Sequence, residues 1–455
     1  MDRRSFVRSG AFSLAAGRVL PRLPDVRGLA LPVPSASQLA WQREELAVFL
    51  HFGVNTFTDR EWGDGRESPT IFDPTRLDAR QWARTARASG FRAMVLTAKH
   101  HDGFCLWPTA TTRHSVASSP WRGGSGDLVR EFVDACAAEG LRAGLYLSPW
   151  DRNHPTYGDT PAYNDVYAAQ LTELLTRYGR IAEVWFDGAN GEGPNGRRQV
   201  YDWPRVFGLV RRLQPGAVIF SDAGPDVRWC GNERGVAGDP NWSMVNPNVV
   251  SFPGQSGSGV EAALQHGHQD GTVWRPAEVD VSIRPGWFYH PAQDERVRSV
   301  ENLLQLYFTS VGRNSKLLLN VPPTRDGLIH EIDAARLVGF RESRETLFGE
   351  PLALRRADFR PPASGVTGAE WELRRPAAPR IARLAEDITR GQRVAAYRLE
   401  GLEAGRWRQL SAGTTIGYAK LDRIPEGPPL SRVRVVIEKW VERPEPVMLQ
   451  LFDRA

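Results

Sequence analysis

Short apolar runs alternate with segments of helical periodicity between residue 46 and about residue 347. Apolar runs of this kind indicate buried strands, and apolar residues spaced three and four apart indicate amphipathic helices. The predicted strands cover residues 46–52, 91–97, 141–147, 181–186, 217–221, 279–283 and 316–321. The predicted helices cover residues 80–88, 128–139, 166–178, 203–213 and 297–311, with a further one from Glu331. Strands and helices that alternate in this way predict a parallel α/β sheet.

The extent of this pattern favours a (β/α)8-type barrel over an open doubly wound sheet. It continues for about 300 residues, and no G-x-G-x-x-G turn follows the first strand to indicate a dinucleotide site. After residue 350 prolines punctuate short alternating segments at 393–399, 406–410 and 431–439. We therefore predict a barrel domain over residues 37–350, followed by a C-terminal β-sandwich over residues 351–455.

Composition excludes several classes of protein. With 41% hydrophobic and 24% charged residues, the 455-residue chain has ample material for a large core, so dominant disorder is excluded. The net charge of +5 comes from arginines scattered among acids rather than from a basic stripe, so we expect no nucleic-acid partner. The three cysteines, Cys105, Cys136 and Cys230, cannot all pair with one another and lack metal-ligand spacing, so disulfides do not define the fold.

The N-terminus has the layout of a twin-arginine export signal. Arg3 and Arg4 precede a weakly apolar stretch at residues 11–20, which is too short to span a bilayer. The alternative is a basic tail. Prolines at 21, 24, 32 and 34 then indicate a linker, so residues 1–36 are predicted to be signal and linker. No other stretch is apolar enough for a membrane helix, and we expect a periplasmic or secreted protein without membrane insertion.

Polar side chains cluster where the predicted strands end. In a barrel the active site lies at the carboxyl ends of the strands, so residues just after each apolar run are the informative ones. Four successive strand ends carry His51, the pair His100 and His101, the pair Trp150 and Asp151, and Asp187. Any one of these could be a structural residue, but four in succession predict a functional site.

The chemistry of these residues fits a sugar better than a metal ion. Imidazoles can bond hydroxyl groups, and flat apolar faces for a sugar ring are available from Trp62, Trp107, Trp150 and Trp287. A metal site at His51, His100, His101 and Asp187 is the alternative. Adjacent histidines on an extended chain point to opposite faces, so we expect His100 and His101 not to share one ion, and we expect no metal or cofactor.

A carbohydrate hydrolase needs two carboxyl groups, and Asp187 is the first candidate. It follows an apolar strand that would hold it rigidly, and Gly188 permits close approach of a ligand. For the second carboxyl, Glu233 has aromatic and apolar neighbours that could raise its pKa. A loop salt bridge with Arg228 or Arg234 is the alternative for Glu233. Four other acids are rivals for the same role: Asp222, Asp226, Asp239 and Glu278.

Several stretches together resemble the α-L-fucosidases of glycoside hydrolase family 29. They are HFGVNTF at 51–57, EWG at 61–63, KHHDGF at 99–104, EVWFDG at 183–188 and LLNVPP at 318–323. They follow the order of the family and span most of residues 40–350. The resemblance implies a barrel followed by a β-sandwich, and hydrolysis with retention and without a metal.

Site residues follow from the resemblance one by one. Asp187 holds the position of the family's nucleophile, and Glu233 is the acid/base by the pattern of one subgroup. Residues at 190–199 and 231–233 resemble the subgroup that prefers α-1,3- and α-1,4-linked fucose. The expected substrate is therefore a fucosylated oligosaccharide. The residues expected to bind it are His51, Glu61, Trp62, His100, His101 and Trp287, together with Trp150 and Asp151 from the strand end named above.

We thus predict a retaining exo-α-L-fucosidase. The alternatives are a metal-dependent hydrolase, which a chelator would inactivate, and a carbohydrate-binding barrel without catalysis. The second is disfavoured because both carboxyl groups and the histidine cluster occur together.

Overall fold

The computed structural model describes residues 30–454. The predicted export signal and most of the predicted linker lie outside these residues, and the first helix begins at Ala36. Its N-terminus has a reciprocal cap, because the Ser35 side chain accepts from the Gln38 amide while the Gln38 side chain accepts from the Ser35 amide.

The strands of the first 320 residues are numbered in chain order. They are β1 (Leu46–Leu50), β2 (Ala93–Lys99), β3 (Arg142–Leu147), β4 (Glu183–Trp185), β5 (Val218–Ser221), β6 (Val227–Trp229), β7 (Met244–Val245), β8 (Val273–Trp274), β9 (Ala277–Ser282) and β10 (Lys316–Asn320). Eight of them close into a parallel barrel in the order β1-β2-β3-β4-β5-β6-β9-β10. The predicted barrel is therefore confirmed. The remaining two, β7 and β8, form an antiparallel ribbon inserted between β6 and β9.

The sixth barrel strand was not predicted from the sequence. It has only three residues, and its central residue is the buried Arg228, so no apolar run marks it. Arg228 is accommodated because its guanidinium donates to the Leu264 and Arg275 carbonyl oxygens and to the Asn241 side chain. Hydrogen bonds to residues far away in sequence thus satisfy Arg228 at a position where a barrel strand is expected to carry an apolar side chain.

Helices cover the outside of the barrel. They are α1 (Ala36–Gln42), α2 (Val54–Thr58), α3 (Ala79–Ala88), α4 (Leu128–Ala138), α5 (Thr160–Arg177), α6 (Trp203–Leu213), α7 (Val260–His266), α8 (Val300–Thr309) and α9 (Glu331–Leu347). Three of them begin in the same way, with an aspartate that accepts a hydrogen bond from the third backbone amide of the helix. These caps are Asp78 on α3, Asp127 on α4 and Asp202 on α6. Each such cap stabilises its helix by about 1 kcal/mol.

Alternate residues of the barrel strands face two different cores, which explains their continuous apolar runs. On β1, Leu46, Val48 and Leu50 belong to the core between barrel and helices. Ala47 and Phe49 face the barrel interior. A strand buried on both faces has no polar face, so its sequence lacks the alternation of a surface strand.

Charged residues occupy the amino end of the barrel interior. Lys316 Nζ donates to Glu44 Oε2 at 2.7 Å and to Glu183 Oε2 at 3.4 Å. On the neighbouring strand, Glu278 Oε1 accepts from the indole of Trp185 at 3.0 Å. Glu278, one of the rival acids, therefore lies below the carboxyl ends of the strands and is not among the residues that line the cavity described below.

Residues after 353 form two antiparallel sheets. Their strands are β11 (Leu354–Ala357), β12 (Thr367–Ala377), β13 (Ile381–Ala385), β14 (Val394–Glu403), β15 (Arg406–Gly413), β16 (Lys420–Arg423), β17 (Leu430–Trp440) and β18 (Met448–Phe452). The five-stranded sheet has the order β11-β12-β17-β14-β15 and the three-stranded sheet the order β16-β13-β18. Their facing sides share one apolar core, which is the arrangement of a β-sandwich.

The sandwich packs directly against the barrel. Leu421 and Phe452 belong to the same apolar core as the barrel helices. Asp239, another rival acid, pairs with Lys420 of the sandwich at 2.8 Å. The Asp239 carboxylate therefore links the two parts of the chain.

Candidate active site

Side chains that point into the barrel continue past the carboxyl ends of its strands. Phe49 faces the interior, and His51 follows two residues later on the same side. In the same way Trp185 faces the interior and Asp187 follows it. These residues enclose a cavity of about 480 Å³, lined by Phe49, His51, Glu61, Trp62, His100, His101, Tyr146, Trp185, Asp187, Gly188, Ala189, Asp222, Trp229, Glu233, Asp280 and Trp287.

Eight of the ten residues predicted for the site line this cavity: His51, Glu61, Trp62, His100, His101, Asp187, Glu233 and Trp287. They come from the ends of β1, β2, β4, β6 and β9 or from the loops that follow, so the barrel brings together residues that are far apart in sequence. Trp150 and Asp151 do not line it.

The Asp187 carboxylate is held at both oxygens. Tyr146 donates its hydroxyl to Oδ2 at 3.0 Å, and the Ala189 amide donates to Oδ1 at 2.7 Å. Such hydrogen bonds to a carboxylate are strong and directional. The side chain is 26% exposed, and that exposed part faces the cavity. Asp187 is therefore a rigidly oriented carboxylate with access to a ligand.

Glu233 lies in the loop after β6 and is the second accessible carboxyl group. Its Oε2 accepts from the indole N–H of Trp287 at 3.3 Å. Burial raises the pKa of Glu233, and the charges of Asp187 and Glu61 raise it further, against the opposing effect of the Trp287 hydrogen bond. The predicted alternative was a salt bridge of Glu233 with Arg228 or Arg234. Among the described residues Glu233 pairs with neither, and the Arg228 guanidinium donates to Leu264 and Asn241 instead.

The three histidines of the cavity are neutral hydrogen-bonding groups. Burial lowers the pKa of His51 to about 3, although its hydrogen bond to Asn320 opposes this. Burial, together with the neighbouring His101 and His51, lowers the pKa of His100 well below its ordinary value. Burial also lowers the pKa of His101, against the pull of the Asp187 charge.

Hydrogen-bond partners define which ring nitrogen of His51 carries the hydrogen. Asn320 donates its amide to Ser282 Oγ at 2.9 Å and to the Trp287 carbonyl at 2.8 Å, so its oxygen faces His51. His51 Nδ1 lies 2.9 Å from that oxygen and must donate to it. The Nε2 of a neutral His51 is then a free acceptor, suited to a hydroxyl group.

His100 and His101 both reach the cavity, with ring centroids 4.1 Å apart. The expectation that they point to opposite faces is therefore wrong. Strand β2 ends at Lys99, so the alternation of an extended strand no longer applies to the two residues that follow it.

Asp151 is a buried structural residue rather than a ligand of the cavity. Its Oδ2 accepts from Lys99 Nζ at 3.1 Å, and its Oδ1 accepts from the amides of Asn153 and His154 at 3.0 and 2.8 Å. Burial alone would raise the pKa of Asp151, but the Lys99 charge and the His154 amide lower it overall. It follows β3, as predicted, but its side chain is not among those that line the cavity.

Trp150 packs against residues of the cavity lining but does not itself line the cavity. Its indole N–H donates to the Glu192 carbonyl at 3.0 Å, and its ring lies 5.1 Å from His101 and 5.8 Å from Trp62. Trp150 thus contacts two residues of the lining while remaining buried itself.

Two further carboxyl groups line the cavity. Burial raises the pKa of Asp222 to about 6, and the Asp187 charge adds to this. Gly188 makes room for Asp222, because a Cβ at Gly188 would lie 2.2 Å from Asp222 Oδ2. Asp280 accepts from the Trp229 indole at 2.7 Å, and burial and the Glu233 charge raise its pKa well above the ordinary value.

Asp222 was named as a rival acid, but Asp280 was not predicted. It lies inside β9 rather than after it, so attention to strand ends alone passes over it. The signal was the polar alternation of Glu278, Asp280 and Ser282, which places three polar side chains on one face of a buried strand.

Asp226, the last of the rival acids, lies outside the cavity. Its carboxylate pairs with Arg211 at 2.5 Å and accepts from the Ile219 amide at 2.7 Å.

Within residues 30–454, no three His, Cys, Asp or Glu side chains are arranged to hold one metal ion. Over the same described part of the chain, every helix is too short or too polar to cross a bilayer.

The cavity brings an oriented carboxylate and a carboxyl group of raised pKa next to neutral imidazoles that can bond hydroxyls. This is the chemistry that cleavage of a glycosidic bond requires, at the end of the barrel where such enzymes act. Fold and site together define a glycoside hydrolase.

Comparison with known proteins identifies the family. The alpha-L-fucosidase family model matches residues 40–341. The alpha-L-fucosidase 1 of Arabidopsis thaliana is 44% identical over 90% of this chain and 85% of its own length. The chain therefore belongs to the α-L-fucosidases of glycoside hydrolase family 29, and it is an α-L-fucosidase.

Solved structures agree with this. A glycoside hydrolase 29 family member from an unknown rumen bacterium is 40% identical, with a TM-score of 0.86 over 94% of this chain and 78% of that one. A GH29 fucosidase of Ruminococcus gnavus, solved in complex with fucose, is 29% identical, with a TM-score of 0.83 over 95% of this chain and 97% of that one.

Proposed function

We propose that the enzyme is a retaining exo-α-L-fucosidase that releases terminal α-1,3- or α-1,4-linked L-fucose by double displacement. Asp187 is the nucleophile and Glu233 the acid/base in this proposal. The observation that carries it is the different environment of the two carboxyl groups in one cavity. Asp187 is oriented by two donors, whereas burial raises the pKa of Glu233 and so favours its protonated form.

The first step forms a covalent intermediate. Asp187 attacks the anomeric carbon of fucose while Glu233 donates its proton to the departing sugar oxygen. In the second step Glu233, now a carboxylate, removes a proton from water, and the water displaces Asp187. Two inversions release fucose with its original α configuration.

Fucose hydroxyls are the proposed partners of the three histidines. The free Nε2 of His51 accepts from a hydroxyl, and His100 and His101 extend the same polar wall. Trp287 and Trp62 face the cavity and offer apolar surface for the sugar ring and its methyl group. The GH29 fucosidase of Ruminococcus gnavus, which was solved in complex with fucose, supports fucose as the ligand.

A cavity of about 480 Å³ is within the size range of small-molecule sites, which is consistent with binding of a terminal sugar. The preference for α-1,3 and α-1,4 linkages rests on the resemblance at residues 190–199 and 231–233. The first of these segments contacts Trp150 through the Glu192 carbonyl, and Trp150 in turn contacts Trp62 at the cavity. These contacts support an effect of residues 190–199 on binding of the sugar to which fucose is linked.

The nucleophile is tested by substitution and rescue. Asp187→Ala should lose nearly all turnover while remaining folded, because binding alone cannot replace the covalent path. Azide can enter the space left by the carboxylate and should restore cleavage, giving a fucosyl azide of inverted configuration. Hydrolysis of a good substrate by Asp187→Ala at close to the wild-type rate would contradict the assignment.

Linkage is tested with a panel of substrates. The enzyme is incubated with α-1,2-, α-1,3- and α-1,4-fucosylated oligosaccharides and with an aryl fucoside, and free fucose is followed over time. We expect release from the α-1,3 and α-1,4 linkages well above release from α-1,2. Preferential cleavage of the α-1,2 linkage would refute the subgroup assignment and leave the fucosidase activity intact.

We also propose export through the twin-arginine route. Arg3→Lys together with Arg4→Lys should leave the precursor in the cytoplasm, since the export receptor reads the arginine pair. Normal delivery of this variant to the periplasm, measured by fractionation, would support a basic tail instead.

A further inference from the structure

A histidine outside the cavity lies between two carboxylates. His290 Nδ1 is 2.8 Å from Asp59 Oδ1, and His290 Nε2 is 2.5 Å from Glu61 Oε1. A carboxylate can only accept, so both hydrogen bonds form at once only when each ring nitrogen carries a hydrogen, which is the cationic imidazolium. The His290 imidazole therefore bridges two acidic side chains. We call Asp59, His290 and Glu61 the clasp.

The clasp connects two loops that border the cavity. Asp59 and Glu61 follow α2, after the first barrel strand, whereas His290 follows β9. The approach is close: a Cβ at Gly286, in the His290 loop, would lie 2.0 Å from Glu61 Oε1. A larger residue at position 286 would displace the Glu61 carboxylate.

The backbone of Trp287, in the same loop, is held at both polar atoms. Its amide donates to Glu61 Oε2 at 2.7 Å, and its carbonyl accepts from the Asn320 side chain at 2.8 Å. The indole N–H then reaches Glu233 Oε2 at 3.3 Å. A continuous chain of hydrogen bonds thus runs from Asp59 through His290, Glu61 and Trp287 to Glu233.

In this chain both oxygens of Glu61 already have a partner within the protein. Glu61 lines the cavity, but Oε1 bonds to His290 and Oε2 bonds to the Trp287 amide. Glu61 therefore stays a predicted ligand of the sugar, and its two hydrogen bonds also hold the loop that carries Trp287.

We propose that the clasp of Asp59, His290 and Glu61 positions Trp287 against Glu233 and thereby orients the acid/base for proton transfer to the leaving group. The proposal rests on the proposed role of Glu233. The clasp residues are positioning residues, because they act on Glu233 through Trp287. Glu233 depends on such help since it lies in a loop and not at the end of a rigid strand.

The proposal predicts a specific kinetic pattern. Proton donation matters most when the leaving group is poor, so loss of the clasp should slow poor leaving groups and spare good ones. A role confined to folding or to fucose binding would slow all fucosides alike, because the fucose part is the same in each.

Asp59 offers the cleanest substitution. It lies outside the cavity, its side chain is 53% exposed, and its φ is +60°, a conformation that glycine and asparagine accept. Asp59→Gly removes the carboxylate without strain, and Asp59→Asn keeps an oxygen that can accept from His290 Nδ1. His290→Ala removes both bonds of the histidine. His268→Ala is the control, since His268 accepts a hydrogen bond from the Asn246 amide in another loop and is not among the residues that line the cavity.

The experiment compares kcat/KM over aryl α-L-fucosides of increasing leaving-group pKa and a fucosylated oligosaccharide. General acid catalysis contributes ~10²–10⁴-fold, and loss of orientation should remove part of it. We expect His290→Ala and Asp59→Gly to lose about 10- to 100-fold on the poorest leaving groups and less than about 3-fold on the best. Asp59→Asn should recover most of the loss, and His268→Ala should match the wild type.

A second arm distinguishes failure of the clasp from failure of the proposed function. If the clasp acts through Glu233, His290→Ala should add no further leaving-group dependence in a Glu233→Ala background. Equal losses on all leaving groups in His290→Ala and Asp59→Gly, beside a steep dependence in Glu233→Ala, would overturn the clasp alone. A flat dependence in Glu233→Ala itself would overturn the role of Glu233 and the clasp with it.

Discussion

Replacing Asp151 tests whether this residue supports the fold or binds the substrate. Asp151 and Lys99 form an ion pair with exposed fractions of 1% and 0%. Lys99 Nζ has two further partners, the Tyr163 hydroxyl at 3.0 Å and the Gln170 side-chain oxygen at 2.9 Å. Asp151→Asn removes the negative charge, and the two neutral acceptors that remain cannot compensate for a buried ammonium group.

The structure sets the size of the effect. Breaking a buried ion pair by removing one partner costs about 3–5 kcal/mol, which is the loss expected for Asp151→Asn. An asparagine oxygen can still accept from the amides of Asn153 and His154, whereas Asp151→Ala leaves both unpaired at about 1–3 kcal/mol each. The alanine variant should therefore be less stable by about a further 2–6 kcal/mol.

Urea unfolding followed by tryptophan fluorescence measures these losses. Asp165→Asn is the control, because it breaks an exposed pair with Arg205 and should cost no more than about 1 kcal/mol. The folded-state pKa of Asp151 is lowered, so its contribution is present above the unfolded-state pKa and is lost as pH falls through the lower folded-state value. The reasoning would be refuted if Asp151→Asn unfolded at the wild-type urea concentration and only raised KM, as a substrate ligand would.

Three further predictions concern the cavity. Because the pKa of Glu233 is raised, kcat/KM on substrates with poor leaving groups should fall only as pH rises through that raised value, and Glu233→Gln should lose this limb of the pH profile. Because the pKa of His51 is about 3, its imidazole should show no titration near pH 6.5 in an NMR experiment, and a shift there would contradict the neutral assignment. Activity should survive exhaustive treatment with EDTA, whereas loss that a divalent metal restores would favour the metal-dependent alternative.

The barrel could be predicted from the sequence because its strands are buried on both faces. Such strands leave continuous apolar runs, and seven of the eight were found within a few residues of their actual bounds. The exception, β6, depends on Arg228 being satisfied by Leu264, Arg275 and Asn241, which lie elsewhere in the chain. The local sequence around Arg228 does not indicate these hydrogen-bond partners, so it could not predict the strand.

Residues of the site were predictable to the extent that a strand determines their direction. His51 and Asp187 lie two positions beyond an inward-facing residue, so the strand directs them into the barrel. Asp151 lies beyond the end of β3, where the chain turns, and its direction depends on Lys99 and on the loop amides it accepts from. The position of Asp151 along the chain was therefore enough to propose it as a site residue, but it did not determine where the side chain lies.

The same contrast separates the two carboxyl groups proposed for catalysis. The barrel backbone determines where Asp187 lies, and its two donors, Tyr146 and Ala189, come from the neighbouring strand and from the residues directly after β4. Glu233 lies in the loop after β6, and its contact with Trp287 depends on the loop after β9. That loop is held in turn by Glu61, which follows α2. A nucleophile must align with one carbon atom, so a rigid strand end suits it. The acid/base must reach the oxygen of the leaving group. Because Glu233 lies in a loop whose position is set by neighbouring loops, its position can change while the barrel strands stay the same.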